Sequence, residues 1–291
     1  MFNKTKLFLF KIFCVFLKTM ETEKSVGILT ETYVLFSSYL KREVIVDVYL
    51  PAGVINVNDI CLLLINDGQD LPVMNFESIL EKHADIITPL LCVGIHCNKN
   101  RKNEYGTAGI LDYHGRGTKA KAYQHFILNE LIPFIRTTFS ISSFTQKSFC
   151  GFSLGALSAL DTVLNHPQEF NKVGLFSASL WWRTVDQADE TFDENIHRIM
   201  HMKVRNGEYH PWLKFFFETG TKDETADRNG NGIIDSIDDT LSLIDEFVLK
   251  GYDRENDIKY LELKEGRHDV ATWGKAFPEF LKWGWKKSDL K

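Results

Sequence analysis

The stretch Gln146-Lys-Ser-Phe-Cys150-Gly151-Phe-Ser153-Leu-Gly155-Ala-Leu-Ser-Ala-Leu160 decides how this chain folds. Its first half is a short apolar strand pattern. Its second half is a helical pattern that runs to residue 165 and stops before Pro167. Between them lies Gly-x-Ser-x-Gly. A nucleophilic serine must stand on a tight turn with its hydroxyl exposed, and neighbouring segments must approach it without Cβ clashes, which the glycines permit. The helix that follows aims its positive N-terminal end at any negative charge developing there. The same five residues also occur as a plain Gly/Ser turn at a strand end; the strand before and the helix after favour the nucleophile elbow.

Outward from this turn, apolar runs recur at residues 44–50, 60–66, 89–96, 172–177, 213–219 and 258–263. Several are continuous rather than alternating, as expected for strands covered on both faces of a parallel sheet. Helical periodicity falls between them. In residues 119–139, Tyr123, Phe126, Ile127, Leu131, Phe134 and Ile135 share one face, with a kink expected at Pro133. A helix over 240–250 ends at Gly251, and a last helix covers 270–285. Alternating strands and helices imply an α/β fold: a doubly wound, mainly parallel sheet flanked by helices, in one domain over residues 21–291.

A chain of 291 residues with 44% apolar content is long enough to bury such a core. The net charge of −5, with no basic stripe and no zinc-finger spacing, argues against a nucleic-acid partner. Cys14, Cys61, Cys92, Cys97 and Cys150 are odd in number and form no C-x-x-C pair. Three of them fall in strand-like runs, so reduced core thiols and a cytoplasmic location are expected. Residues 1–20 read differently. They have a basic start and an apolar run over 7–17 interrupted by Lys11, too short for a stable membrane span. That segment is either signal-like, without a small-x-small cleavage site and with export as its consequence, or it precedes a start at Met20. The sequence sets no oligomeric state.

An elbow serine needs an acid and a base later in the chain, in the order Ser, Asp or Glu, His, each just after a strand. Of nine histidines, His268 alone follows Ser153 at a strand-to-helix loop near the C-terminus. His96 and His114 precede the serine, which is the wrong chain order. The acid is expected after the strand at 213–219, where Asp223 comes first and Glu224 stays open as the alternative. Asp223 would hold the imidazole tautomer and stabilise the imidazolium. Two backbone N–H groups should form an oxyanion hole: that of Leu154, and that of Gly68 or Gln69 in the loop Asn66-Asp-Gly-Gln-Asp70.

With these pieces assembled, the sequence resembles the putative esterase family of α/β-hydrolases, which includes esterase D-like proteins and enterochelin (ferric siderophore) esterases. The resemblance runs from about residue 41 onward. It rests on R-E-V-I-V-D-V-Y-L-P (42–51), N-D-G-Q-D-L (66–71), V-G-I (93–95), R-K-N-E-Y (101–105), F-I-L-N-E-L-I-P-F-I (126–135), G-F-S-L-G (151–155), S-A-S-L-W-W (177–182) and G-R-H-D-V-A-T-W (266–273). It implies Ser153 as nucleophile and His268 as base. The acid is less fixed, since some siderophore esterases resemble a Ser-His dyad. It also implies that Arg101, Glu104 and Tyr105 lie near a substrate. Trp181 and Trp182 follow a strand end, where they wall either the pocket or the core.

One further stretch, Asp227-Arg-Asn-Gly-Asn-Gly-Ile-Ile-Asp-Ser-Ile-Asp238, has the spacing of a calcium loop. Asp227, Asn229, Asn231, the Ile233 carbonyl, Asp235 and Asp238 fall at the ligand positions, and Gly232 at the sharp turn. No entering helix precedes it, so a lone structural calcium site is expected, with an Asn/Gly-rich surface turn as the plain reading. No cofactor is expected for catalysis. The reading as a whole is a serine esterase acting on a small-molecule ester. An acyltransferase or peptidase with the same residues, and a non-catalytic calcium-dependent binding protein on a hydrolase scaffold, are its rivals.

Overall fold

The computed structural model describes residues 27–52 and 59–287, so the expectations for residues 1–20 and Cys14 lie outside the described residues. Eight strands form one sheet in the order β1-β2-β4-β3-β5-β6-β7-β8. They are β1 Ile28–Ser37, β2 Arg42–Pro51, β3 Cys61–Asn66, β4 Leu90–Ile95, β5 Lys147–Phe152, β6 Lys172–Phe176, β7 Lys214–Lys222 and β8 Ile258–Arg267. β2 runs antiparallel to both neighbours, and β3 through β8 are parallel. The central strands CLLLIN and LLCVGI are buried at every position, which accounts for their unbroken apolar runs. β1 lies at the edge and alternates, so its pattern stood out less than theirs.

The longer helices used below are α1 Phe76–His83, α2 over residues 120–138, α3 Leu154–Asn165, α4 Ile199–Asn206, α5 Asp235–Lys250 and α6 Val270–Trp285. Two cores cover the sheet. One is built with α2, α3 and α5; the other is an aromatic layer under α1 and α6 containing Phe76, Phe152, Phe176, Phe216, Phe277 and Phe280. In α2 the turn Ile127–Leu131 is π-helical between two α segments. Pro133 has no N–H to donate to the turn before it. The widened turn just upstream takes up that irregularity, so helical geometry continues through the proline.

The winding positions the site. β3 pairs with β4 on one side and with β5 on the other, so chain direction across the sheet reverses there. In open α/β sheets the crevice beyond the strand C-termini at such a reversal is where ligands bind. The loop after β3 carries Asp67-Gly68-Gln69, and the turn after β5 carries Ser153.

Candidate active site

Ser153 stands between β5 and α3 with φ 54° and ψ −120°, a conformation that costs about 1–3 kcal/mol in a non-glycine residue. The flanking glycines are required by close approach. A Cβ on Gly151 would lie 2.5 Å from the Gly155 carbonyl carbon, and one on Gly155 would lie 2.6 Å from Asp67 Oδ2. Backbone bonds pin the turn: Ser153 N–H donates to the Phe176 carbonyl at 2.9 Å, and Ser179 N–H donates to the Ser153 carbonyl at 3.1 Å. The Ser153 hydroxyl lies 3.3 Å from that of Ser179.

Leu154 is the first residue of α3, so its N–H has no acceptor within the helix. Gly68 and Gln69 open a short 3₁₀ turn, Gly68–Asp70, and their N–H groups have none within that turn either. A Cβ on Gly68 would lie 2.3 Å from the Gly94 carbonyl carbon, so only glycine fits. Asp67, at φ 59°, is locked in place: Arg101 donates to both its carboxylate oxygens at 2.8 and 2.7 Å, and its own N–H donates to the Tyr105 hydroxyl at 3.2 Å. Arg101 also reaches the Phe152 carbonyl at 3.3 Å, tying this loop to the elbow. Asn66 adds a third tie, donating to the Gly155 carbonyl at 2.7 Å while Tyr123 donates to its amide oxygen at 2.6 Å.

His268 sits between β8 and α6, one residue before the α6 cap Asp269. Its ring stands edge-on to Trp273 with centroids 5.4 Å apart, and Trp273 stacks at 5.0 Å on Phe152, the residue before Ser153. Surrounding protein lowers the imidazole below its ordinary value, with the Asp223 charge pulling the other way. Asp223 follows β7 closely. Both its oxygens are buried and lack a hydrogen-bond partner among the described residues. Burial raises its carboxyl above the usual range, against the pull of Ser177 and His268. Asp223 and His268 thus act on each other electrostatically, and His268 is linked to the elbow through the rings of Trp273 and Phe152. Glu224 faces elsewhere: after burial, the groups acting on it are Ser236, Asp235 and Asp239 of α5, with Asp223 last.

Three expected substrate contacts are corrected. Glu104 is buried and holds Arg42 as an ion pair, so its charge is spent inside the fold. Tyr105 is buried and serves the Asp67 backbone. Trp182 is fully buried core, with Arg116 over its ring at 4.7 Å; Trp181 is half-buried. The Gln69 side chain anchors its loop by accepting from the Cys97 N–H at 3.1 Å.

The calcium-type loop is also corrected at one position. Asp235 starts α5 and accepts the Arg228 N–H at 2.9 Å, so its side chain belongs to an Arg228 cluster with Glu194 and Asp239. Asp227 accepts the N–H groups of Asn231 and Gly232, and Asp238 accepts the Asn229 amide at 2.8 Å. Among the described residues no group of three or more His, Cys, Asp or Glu is arranged to hold a metal. The sequence reading gave no role to Asp67, Ser177, Ser179 and Trp273, and passed over Glu218 as a carboxylate inside the strand. Their signals were modest: a polar run directly after an apolar strand, and Ser-Ala-Ser at the end of β6.

An eight-stranded sheet with an antiparallel second strand, carrying a serine elbow after its fifth, defines an α/β-hydrolase. Residues 37–283 match the family described as "Putative esterase", and the chain belongs to that family; it is a carboxylic ester hydrolase. Among curated proteins it is 25% identical over 255 residues to the uncharacterized protein YjcH of Bacillus subtilis (strain 168), covering 85% of this chain and 93% of that one. Among solved structures it is similar to a ferulic acid esterase (TM-score 0.64, 15% identity, 89% and 97% of the two chains). It is also similar to the siderophore hydrolase EstB from Aspergillus nidulans (TM-score 0.63, 18% identity, 90% and 96%). A third similar structure is the enterobactin esterase FES from Shigella flexneri (TM-score 0.63, 18% identity), where this chain spans 59% of the longer enzyme. No helix among the described residues is long and apolar enough to cross a membrane.

Proposed function

We propose that the protein hydrolyses its ester through an acyl-enzyme on Ser153. His268 takes the serine proton as the hydroxyl attacks the carbonyl and returns it to the leaving alcohol. It then takes a proton from water to release the acid. Asp223 holds the imidazole and balances its charge. The Leu154 N–H and that of Gly68 or Gln69 receive the developing oxyanion. The observation that carries this reading is the strained Ser153 backbone at the head of α3, with His268 against Trp273, which stacks on Phe152 beside the serine. Arg101 is half-buried beside the elbow and keeps N–H groups beyond those on Asp67, which suits an anionic or phenolic portion of the substrate. The substrate class this supports is a small aromatic ester, siderophore-type or feruloyl.

The test is hydrolysis of p-nitrophenyl esters, feruloyl sugars and ferric enterobactin, with fluorophosphonate labelling of the native protein. Ser153→Ala should lose on the order of 10⁴-fold or more in kcat and all labelling, with little change in stability. Retained turnover in that variant would assign the nucleophile elsewhere. For the loop 227–238 we propose a weak structural calcium held by Asp227, Asn229, Asn231, Asp238 and the Ile233 carbonyl, without Asp235.

A further inference from the structure

Beneath the site lies a second buried carboxyl that the serine mechanism leaves unused. Glu218 is 1% exposed. It belongs to β7 and shares the sheet face of Phe216, two residues earlier, under the aromatic layer of α6. Its Oε1 has no hydrogen-bond partner among the described residues, and neither oxygen of Asp223 has one. The group between the two acids is Ser177, which directly follows β6 at φ 44° and whose N–H donates to the Glu218 carbonyl at 2.9 Å. Ser177 Oγ lies 3.5 Å from Glu218 Oε2 and accepts the indole N–H of Trp273 at 2.9 Å. Trp273 is also the residue that stacks on Phe152 and supports His268.

A hydroxyl has one hydrogen and two lone pairs. Trp273 fills one lone pair of Ser177. If Glu218 carries a proton, its O–H fills the other, and the single Ser177 hydrogen is left for Asp223. If Glu218 is ionised, it competes with Asp223 for that hydrogen and adds a second negative charge beside it. We propose that Glu218 is a positioning residue: a neutral carboxylic acid that, through Ser177, turns the serine hydroxyl towards Asp223 and so holds the acid that holds His268. The proposal rests on the serine mechanism above. Burial, then the Asp223 charge, push the Glu218 carboxyl up to about 8, so it keeps its proton at neutral pH. The other titratable groups acting on this cluster are His268 and Asp269 from the β8–α6 junction, with Tyr260 of β8 on the opposite face of the sheet, bonded to Thr219 and kept neutral by burial.

The experiment compares wild type with Glu218→Gln, Glu218→Leu and Ser177→Ala, measuring kcat across pH on a p-nitrophenyl ester together with melting temperature and fluorophosphonate labelling. Glutamine has the same shape, donates an N–H and cannot ionise. Wild type should decline above about pH 8 as Glu218 ionises; the glutamine variant should keep kcat within about threefold at pH 7 and lack that decline. Glu218→Leu and Ser177→Ala should lose about tenfold or more in kcat, the leucine variant with no loss of melting temperature, because it replaces an incompletely bonded buried acid by an apolar group. Full kcat in Glu218→Leu, or an unchanged alkaline decline in Glu218→Gln, overturns the proposal while the serine mechanism stands. Wild-type protein that takes no fluorophosphonate overturns both.

Discussion

On the mechanism proposed above, His268 carries the pH dependence of this site. A base must be neutral to accept the serine proton, and desolvation lowers this imidazole below the ordinary histidine value even with Asp223 opposing. The sign follows directly: the neutral form persists to lower pH than in a free histidine, so the acid limb of kcat/KM should fall below the ordinary histidine range. The check is a kcat/KM profile from pH 4 to about 9 in wild type and in Asp223→Asn. Removing the Asp223 charge removes the larger of the two influences that raise the imidazole, Asp269 being the other, so the limb should move lower still while kcat drops by orders of magnitude. A wild-type limb above the ordinary range would mean that Asp223, and not burial, dominates. At this scale chain order and flanking elements single out Ser153 and His268 as candidates in the sequence, and Asp223 only as the first of two neighbours. Glu218 and Ser177 stand out in no local pattern, because the roles proposed for them depend on which face of β6 and β7 is covered by α6.

Elements add what single residues cannot. The helix expected over residues 119–139 forms, but the kink expected at Pro133 is absorbed by a π-helical turn one step earlier. Sequence marks the proline but not how the strain is taken up. The helix expected from residue 240 begins at Asp235, and that earlier start is what draws Asp235 out of the loop and onto Arg228. The calcium site proposed there would keep the two carboxylates of Asp227 and Asp238, with amide and carbonyl oxygens, and would bind at the weak end of such loops. Calcium at a few times its dissociation constant should then add about 1 kcal/mol, a rise of about 2–4 °C in melting temperature. Asp227→Ala should abolish the rise, and magnesium should not replace calcium. An unchanged melting temperature in 10 mM calcium (roughly tenfold above the weak end of such loops), or a rise that survives the substitution, would leave the Asn/Gly-rich turn as the whole account.

Across the molecule the two faces of the sheet have different duties. The topology was legible as alternating strands and helices, and the parallel centre as unbroken apolar runs. Which layer supports the chemistry was not, because both layers are apolar in sequence. The α6 layer is continuous with the site: Phe277 stacks on Phe176 at 5.3 Å, Trp273 one turn earlier on α6 holds both Phe152 and Ser177, and His268 leans on that indole. On the opposite face Phe247 of α5 packs on Phe215 at 4.1 Å and on Tyr252, with none of these groups touching the elbow. Phe247 and Phe277 are both almost wholly buried, so Phe247→Ala and Phe277→Ala should each cost about 3–5 kcal/mol of stability. Their effects on turnover should separate. Phe277→Ala leaves a cavity beneath the α6 turn that seats Trp273, so Ser153, Asp223 and His268 lose their common support and kcat should fall by about tenfold or more, since small misplacements of reacting groups are costly. Phe247→Ala should leave kcat within about twofold, because the altered packing lies behind β7 on the other face and a distant core change acts on stability alone. Both variants are assayed well below their own melting temperatures, so that the folded fraction is equal. Equal losses of kcat would mean that the sheet transmits core disorder to the site whichever face it starts from.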